Sequence, residues 1–140
     1  MSNSIHPPRI GGLSDIAADY QFVLCDAWGV IHNGVKAYTA AVDALRAFRE
    51  SGKTVLIITN APRPKAPVLK QFTGFGVDHA AFDDVVTSGG AARDFLAARP
   101  GIRVFHLGAE RDHGIYEGLD VVQSTEGEAE IISCTGLFDD

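Results

Sequence analysis

Apolar residues fall along this chain in two periods. Short unbroken runs (Phe22-Val23-Leu24-Cys25, Val55-Leu56-Ile57-Ile58, Val85-Val86) alternate with segments in which apolar positions recur every three or four residues. Unbroken runs of this length read as strands buried on both faces, the habit of parallel sheets. The spaced segments read as helices with one apolar stripe. The pattern predicts a strand over about 21–26 and a helix over about 40–51. Thr39 would cap that helix, Val42, Leu45 and Phe48 would face inward, and Gly52 would stop it. A second strand follows over 54–59. Asn60 with Pro62, Pro64 and Pro67 breaks the chain; because proline is tolerated in a first turn, a helix starts near Lys65 and buries Val68, Leu69, Phe72 and Phe75. The remainder reads as a strand at 85–87, a helix from a Ser88 cap through Ala98, a strand at 102–107, a helical turn over about 112–118, and strands at 119–122 and 130–135. Pro7-Pro8 and Gly11-Gly12 make residues 1 to about 14 an irregular lead-in. Strand alternating with helix predicts a three-layer α/β fold with a mostly parallel sheet.

Composition narrows the function. A chain of 140 residues with 46% apolar and 21% charged positions is sized and composed for one globular domain. A net charge of -6 argues against a nucleic-acid groove, and no Lys/Arg cluster offsets it. No apolar run approaches the roughly 18 residues of a membrane span. The first eight residues lack the basic-then-apolar layout of a signal peptide. Cys25 and Cys134 lie far apart in apolar runs and read as buried thiols, so a cytoplasmic location is expected.

The candidate chemistry sits at strand ends. Asp26 closes the first strand, at the carboxyl edge where open α/β sheets bind ligands. There an acid serves as nucleophile, as metal ligand, or as a cap for the next loop. Thr59-Asn60 closes the second strand, and a right-handed crossover brings both ends to one edge. A carboxylate near a hydroxyl and an amide suits phosphoryl transfer, in which the carboxylate attacks phosphorus. Hydroxyl and N–H groups would hold the non-bridging oxygens, helped by a helix N-terminus. A divalent cation offsets the repulsion between anionic nucleophile and anionic phosphate, and Mg²⁺ suits a site with few carboxylates.

Asp26-Ala27-Trp28-Gly29-Val30 followed by Thr59-Asn60 resembles motifs I and II of the haloacid-dehalogenase-like (HAD) hydrolase superfamily. The details are similar to its class IIA members, the sugar-phosphate and nucleotide phosphatases with a large inserted cap. Gly12-Leu13-Ser14-Asp15, Thr87-Ser88-Gly89-Gly90-Ala91 and His106-Leu107-Gly108-Ala109-Glu110 extend the likeness over essentially the whole chain. The resemblance implies a Rossmann-like core and a phosphatase acting through an aspartyl-phosphate. It makes Asp26 the nucleophile and an Mg²⁺ ligand, and the Trp28 carbonyl a second ligand. Thr59 and Asn60 would bind the phosphate, with main-chain N–H groups around Ala27 to Gly29 assisting. The substrate would be a small phosphorylated metabolite.

Two departures from the family pattern shape the expectations. Trp28 stands where these phosphatases usually carry a second Asp as general acid; an indole donates a hydrogen bond but does not titrate usefully. Such an acid typically supplies about 10²–10⁴ in rate. The family's later Lys and metal-binding acids have no match, since Lys53, Lys65 and Lys70 stand elsewhere and Asp139-Asp140 resembles the start of the core-to-cap connection. Residues 1–140 therefore read as the N-terminal part of a HAD-like core, truncated before the cap and inactive alone. An apolar β-edge at Phe22 to Cys25 predicts self-association or pairing with a complementing C-terminal half. The alternative function is a non-catalytic module that holds phosphate or a phosphosugar. A receiver-type phosphoacceptor domain fits poorly, because the first strand ends in one acid. Arg63 is a further candidate for substrate phosphate, Asn33-Gly34 reads as a tight turn, and His32, His79, His106 and His113 read as loop or surface residues.

Overall fold

The computed structural model describes residues 9–136. Its order is β1 (Phe22–Asp26), α1 (Thr39–Glu50), β2 (Thr54–Thr59), α2 (Lys65–Phe75), β3 (Asp84–Thr87), α3 (Ser88–Ala97), β4 (Ile102–Leu107), β5 (Val121–Gln123) and β6 (Ile131–Cys134). Short 3-10 turns occupy Leu13–Asp15, Ala17–Asp19, His79–Ala81 and Glu110–Tyr116. The predicted α/β class and parallel pairing are present. The strands form two three-stranded parallel sheets, β1-β2-β3 and β5-β4-β6.

Each sheet has its own core. Val55, Ile57 and Val85 join Val42, Leu45 and Phe48 of α1 and Val68 and Phe72 of α2 in one buried cluster. Val104 joins Leu96 of α3, Ile115 and Tyr116 in another. The order β1-β2-β3 advances in one direction, so right-handed crossovers put α1 and α2 on the same face. The opposite face carries Phe22, Leu24, Ile58 and Val86, all exposed. Phe22 is 67% and Leu24 65% exposed, so β1 is not buried on both faces as its apolar run predicts. An unbroken apolar run reports that both faces are suited to burial; it does not supply the second cover.

Three local differences have simple causes. Tyr38, not Thr39, occupies the N-cap of α1, and no side chain caps it. Thr87, not Ser88, caps α3 by accepting from the Gly90 N–H at 2.8 Å, which frees Ser88 for other bonds. Cys134 is exposed, whereas Cys25 is buried as expected. Gly76 closes α2 in the left-handed region, at φ 80°. Arg46–Asp78 and Arg49–Asp83 ion pairs tie α1 to the segment before β3. Asp139-Asp140 and Pro7-Pro8 lie outside the described residues.

Candidate active site

Parallel pairing sets Asp26 beside Ile58, so Asp26 and Thr59 stand one residue apart at the same carboxyl rim. Alternation then separates their side chains. Asp26 falls with Leu24 and Ile58 on the uncovered face, and its carboxylate is exposed. Thr59 falls with Val55 and Ile57 on the covered face and is only 8% exposed. The two converge on one edge, not on one face.

The loop after β1 is a tight knot. The Ala27 carbonyl accepts from the N–H groups of Val30 and Ile31, and Gly29 N–H donates to the His32 carbonyl at 2.8 Å. Gly29 sits at φ 77°, where a side chain would be strained. Ala27 N–H donates to Asp26 Oδ1 at 2.7 Å. The Ala27 and Gly29 amides, among those expected to assist phosphate binding, are thus engaged within the loop, and a phosphate would have to replace these bonds to use them. Asn33 Oδ1 accepts from Val35 and Lys36 N–H, the predicted turn. Trp28 is 63% exposed and lies across Gly34, where a Cβ would come within 2.7 Å of its ring.

Thr59-Asn60 opens the second part of the site. Thr59 Oγ1 accepts from the Ala61 N–H at 3.2 Å, which leaves the hydroxyl proton to donate elsewhere. Ser88 Oγ donates to the carbonyls of Asn60 and Ala61 at 2.9 and 3.0 Å. Gly89 N–H donates to the Ala61 carbonyl at 3.1 Å. A cavity of about 270 Å³ opens here, between Trp28, His32, Thr59, Asn60, Arg63 and Gln71, with Val68 and Phe72 as its apolar floor. Asp26 borders the rim but does not line this cavity.

His32 departs most from its expected loop or surface role. It is 4% exposed and packs against Trp28, Phe72 and Phe75. Its Nδ1 accepts from the Gly34 N–H at 3.0 Å, which places the proton of the neutral ring on Nε2. Burial pulls its pKa below the ordinary value, against the opposing charge of Asp26. His79 and His113 are exposed as expected. His106 is half-buried in β4 and bonds the Tyr116 hydroxyl. Gln71 escaped the sequence reading because a lone polar residue on a helix gives no signal of the cavity it faces.

The residues fit a hard cation at the Asp26 rim. The carboxylate is exposed, and the Trp28 carbonyl accepts none of the loop's hydrogen bonds among the described residues. Two such oxygens leave most of the coordination shell to water, the arrangement Mg²⁺ tolerates. No group of three or more His, Cys, Asp or Glu able to hold a metal occurs among the described residues. No described helix is long and apolar enough to cross a membrane.

Parallel strands, an acid on the first strand's rim and a hydroxyl-amide pair on the next define an α/β protein with a polar site at the carboxyl edge of its sheet. The profile of the haloacid dehalogenase-like hydrolases matches residues 23–122, and the chain belongs to that family. It is similar to a haloacid dehalogenase-like hydrolase from Brucella suis 1330, with 45% identity, 92% of this chain and 47% of that chain covered, and a TM-score of 0.82. It is also similar to a Mycobacterium tuberculosis glycerol phosphate phosphatase solved with magnesium (26% identity, 85% and 37% covered, TM-score 0.62). NagD from E. coli K-12 matches at 26% identity, with 81% and 45% covered and a TM-score of 0.56. No curated protein matches. The chain spans about half or less of the length of these solved relatives.

Proposed function

We propose that the chain provides the nucleophile and phosphate-binding half of a phosphatase acting on a small phosphate monoester. The observation that carries this is the shared rim of Asp26 and Thr59-Asn60, in a chain of the hydrolase family. Asp26 attacks phosphorus through a carboxylate oxygen, the ester P–O bond breaks, and an alkoxide leaves. The Thr59 proton and the Asn60 amide bind non-bridging oxygens. Asp26 and the Trp28 carbonyl would hold Mg²⁺, which supplies charge neutralisation at the phosphate when bound. Water then hydrolyses the aspartyl-phosphate to release phosphate and restore Asp26.

The leaving oxygen needs a proton, and two side chains are poor sources. Trp28 does not titrate usefully, and His32 is held neutral by burial. With these two set aside, solvent water can serve as the donor at the described site. Esters of acidic alcohols, which leave without protonation, are therefore the better substrates. No lysine lines the cavity, and Lys53 and Lys65 are engaged by the Ala17 carbonyl and Asp84. These 140 residues alone should turn over slowly, and the exposed apolar face fits a complementing segment or a second copy.

The test is phosphate release from p-nitrophenyl phosphate with Mg²⁺, by this chain and by a version extended to the length of its relatives. Asp26→Asn should abolish release in the extended version, and release that survives it removes the nucleophile assignment. Trp28 at the usual acid position favours a second reading, a phosphate-holding module without turnover. Calorimetric binding of phosphate beside a flat assay in both versions would establish that reading instead.

A further inference from the structure

We propose that Arg63 selects substrates whose alcohol part carries a carboxylate. This rests on the phosphatase reading above and assigns the 270 Å³ cavity beside Thr59-Asn60 to the leaving group. The first observation is an unpaired cation. Arg46, Arg49, Lys65 and Arg103 pair with carboxylates. Arg93 and Arg99 bind main-chain carbonyls. Arg63 is half-buried, has no ion pair among the described residues, and its buried Nε has no hydrogen-bond partner. Most buried polar groups find partners, and one that does not calls for an explanation. A planar guanidinium offers paired donors that match the two oxygens of a carboxylate.

The second observation is that the backbone under Arg63 is fixed. A Cβ on Gly89 would lie 2.6 Å from the carbonyl carbons of both Pro62 and Arg63, so α3 and this loop are in direct backbone contact. Ser88 and Gly89 bond the carbonyls just upstream. The backbone that carries Arg63 is thus positioned before any ligand arrives, and only the side chain remains to be ordered on binding. Arg63 also borders a larger cleft toward Arg93, Asp112 and Glu117. Only the smaller cavity reaches Thr59 and Asn60, so a molecule held there meets Arg63 and the phosphate-binding pair together. Drug-sized ligands occupy roughly 300–1,000 Å³, so this cavity suits a fragment of a few carbons. Trp28 closes one side and Gln71 offers a neutral amide on another.

The experiment titrates this chain, in Mg²⁺, with inorganic phosphate, glycerol 3-phosphate and 3-phosphoglycerate, following amide shifts by NMR. The two esters share a three-carbon skeleton and differ in the carboxylate. We expect 3-phosphoglycerate to bind at least about tenfold more tightly than glycerol 3-phosphate, as a charged hydrogen bond warrants. Arg63→Gln should erase that preference, bringing the two esters to equal affinity, and Arg63→Lys should restore part of it. Unperturbed spectra away from the cavity establish that each variant is folded. Equal binding of the two esters overturns the inference and leaves the phosphate site standing. An Arg63→Gln variant that weakens all three ligands alike also overturns it, assigning Arg63 to the transferring phosphate. Failure of all three ligands to bind overturns the site reading and the inference with it.

Discussion

Gly89→Ala tests whether the site loop is held by backbone contact. The added Cβ would lie 2.6 Å from two carbonyl carbons and closer still to Arg63 N. Nonbonded carbons sit comfortably at about 3.5–4.0 Å, so α3 and the 60–63 loop must part by roughly 1 Å. No rotamer absorbs the overlap, because both partners are main chain. Overpacking of this kind costs about 1–3 kcal/mol. Weakening the bond from Gly89 N–H to the Ala61 carbonyl adds about 0.5–1.5 kcal/mol. Alanine's better helix propensity returns about 1 kcal/mol. The net expectation is a loss of about 0.5–3.5 kcal/mol, or a fall in Tm of roughly 2–12 °C for a chain of this size. Gly74→Ala is the matched control. It lies within α2 with nothing within 4 Å of its Cβ position, so it should stabilise by about 0.5–1 kcal/mol. Thermal unfolding followed by far-UV circular dichroism reads both. A Gly89→Ala protein as stable as the parent, alongside a stabilised Gly74→Ala, would refute the claim that Gly89 clamps the loop.

Further consequences follow from the core, the buried imidazole and the open face. Phe72 is 1% exposed between His32 and Phe82, so Phe72→Ala should cost about 3–5 kcal/mol by urea denaturation. His32 is depressed in the folded state, so the unfolded chain takes up the proton first as pH falls. Its stabilising contribution is full above about pH 6.5 and is lost as pH falls through the lower folded value. His32→Asn should flatten the fall of the urea midpoint between about pH 7 and 5, and an unchanged slope would refute that sign. Phe22, Leu24, Ile58 and Val86 form an open apolar face, so light scattering should show mass rising with concentration. Leu24→Lys should hold the chain monomeric, and an unchanged mass profile would place the association elsewhere.

The order of elements was legible because burial writes a period into the sequence. Val42, Leu45 and Phe48 specify one inward stripe of α1, and the run Val55 to Ile58 specifies β2 without help from any distant residue. Asp26 and Thr59-Asn60 were legible as a pair because parallel β-α-β connection brings successive carboxyl ends to one rim. Side-chain direction was not. Thr59 faces the covered side and Asp26 the open side, and that follows from pairing register, which no local pattern encodes. The burial of His32 depends on Phe72 and Phe75 arriving from α2, about forty residues later in the chain. The solitary state of Arg63 is likewise a property of the fold. A sequence shows that a cation is present, but only the packed chain shows that no ion pair engages it among the described residues and that its Nε has no hydrogen-bond partner. Periodicity is local and survives in one dimension. Register, cover and charge pairing are relations between distant segments, and they exist only once those segments have met.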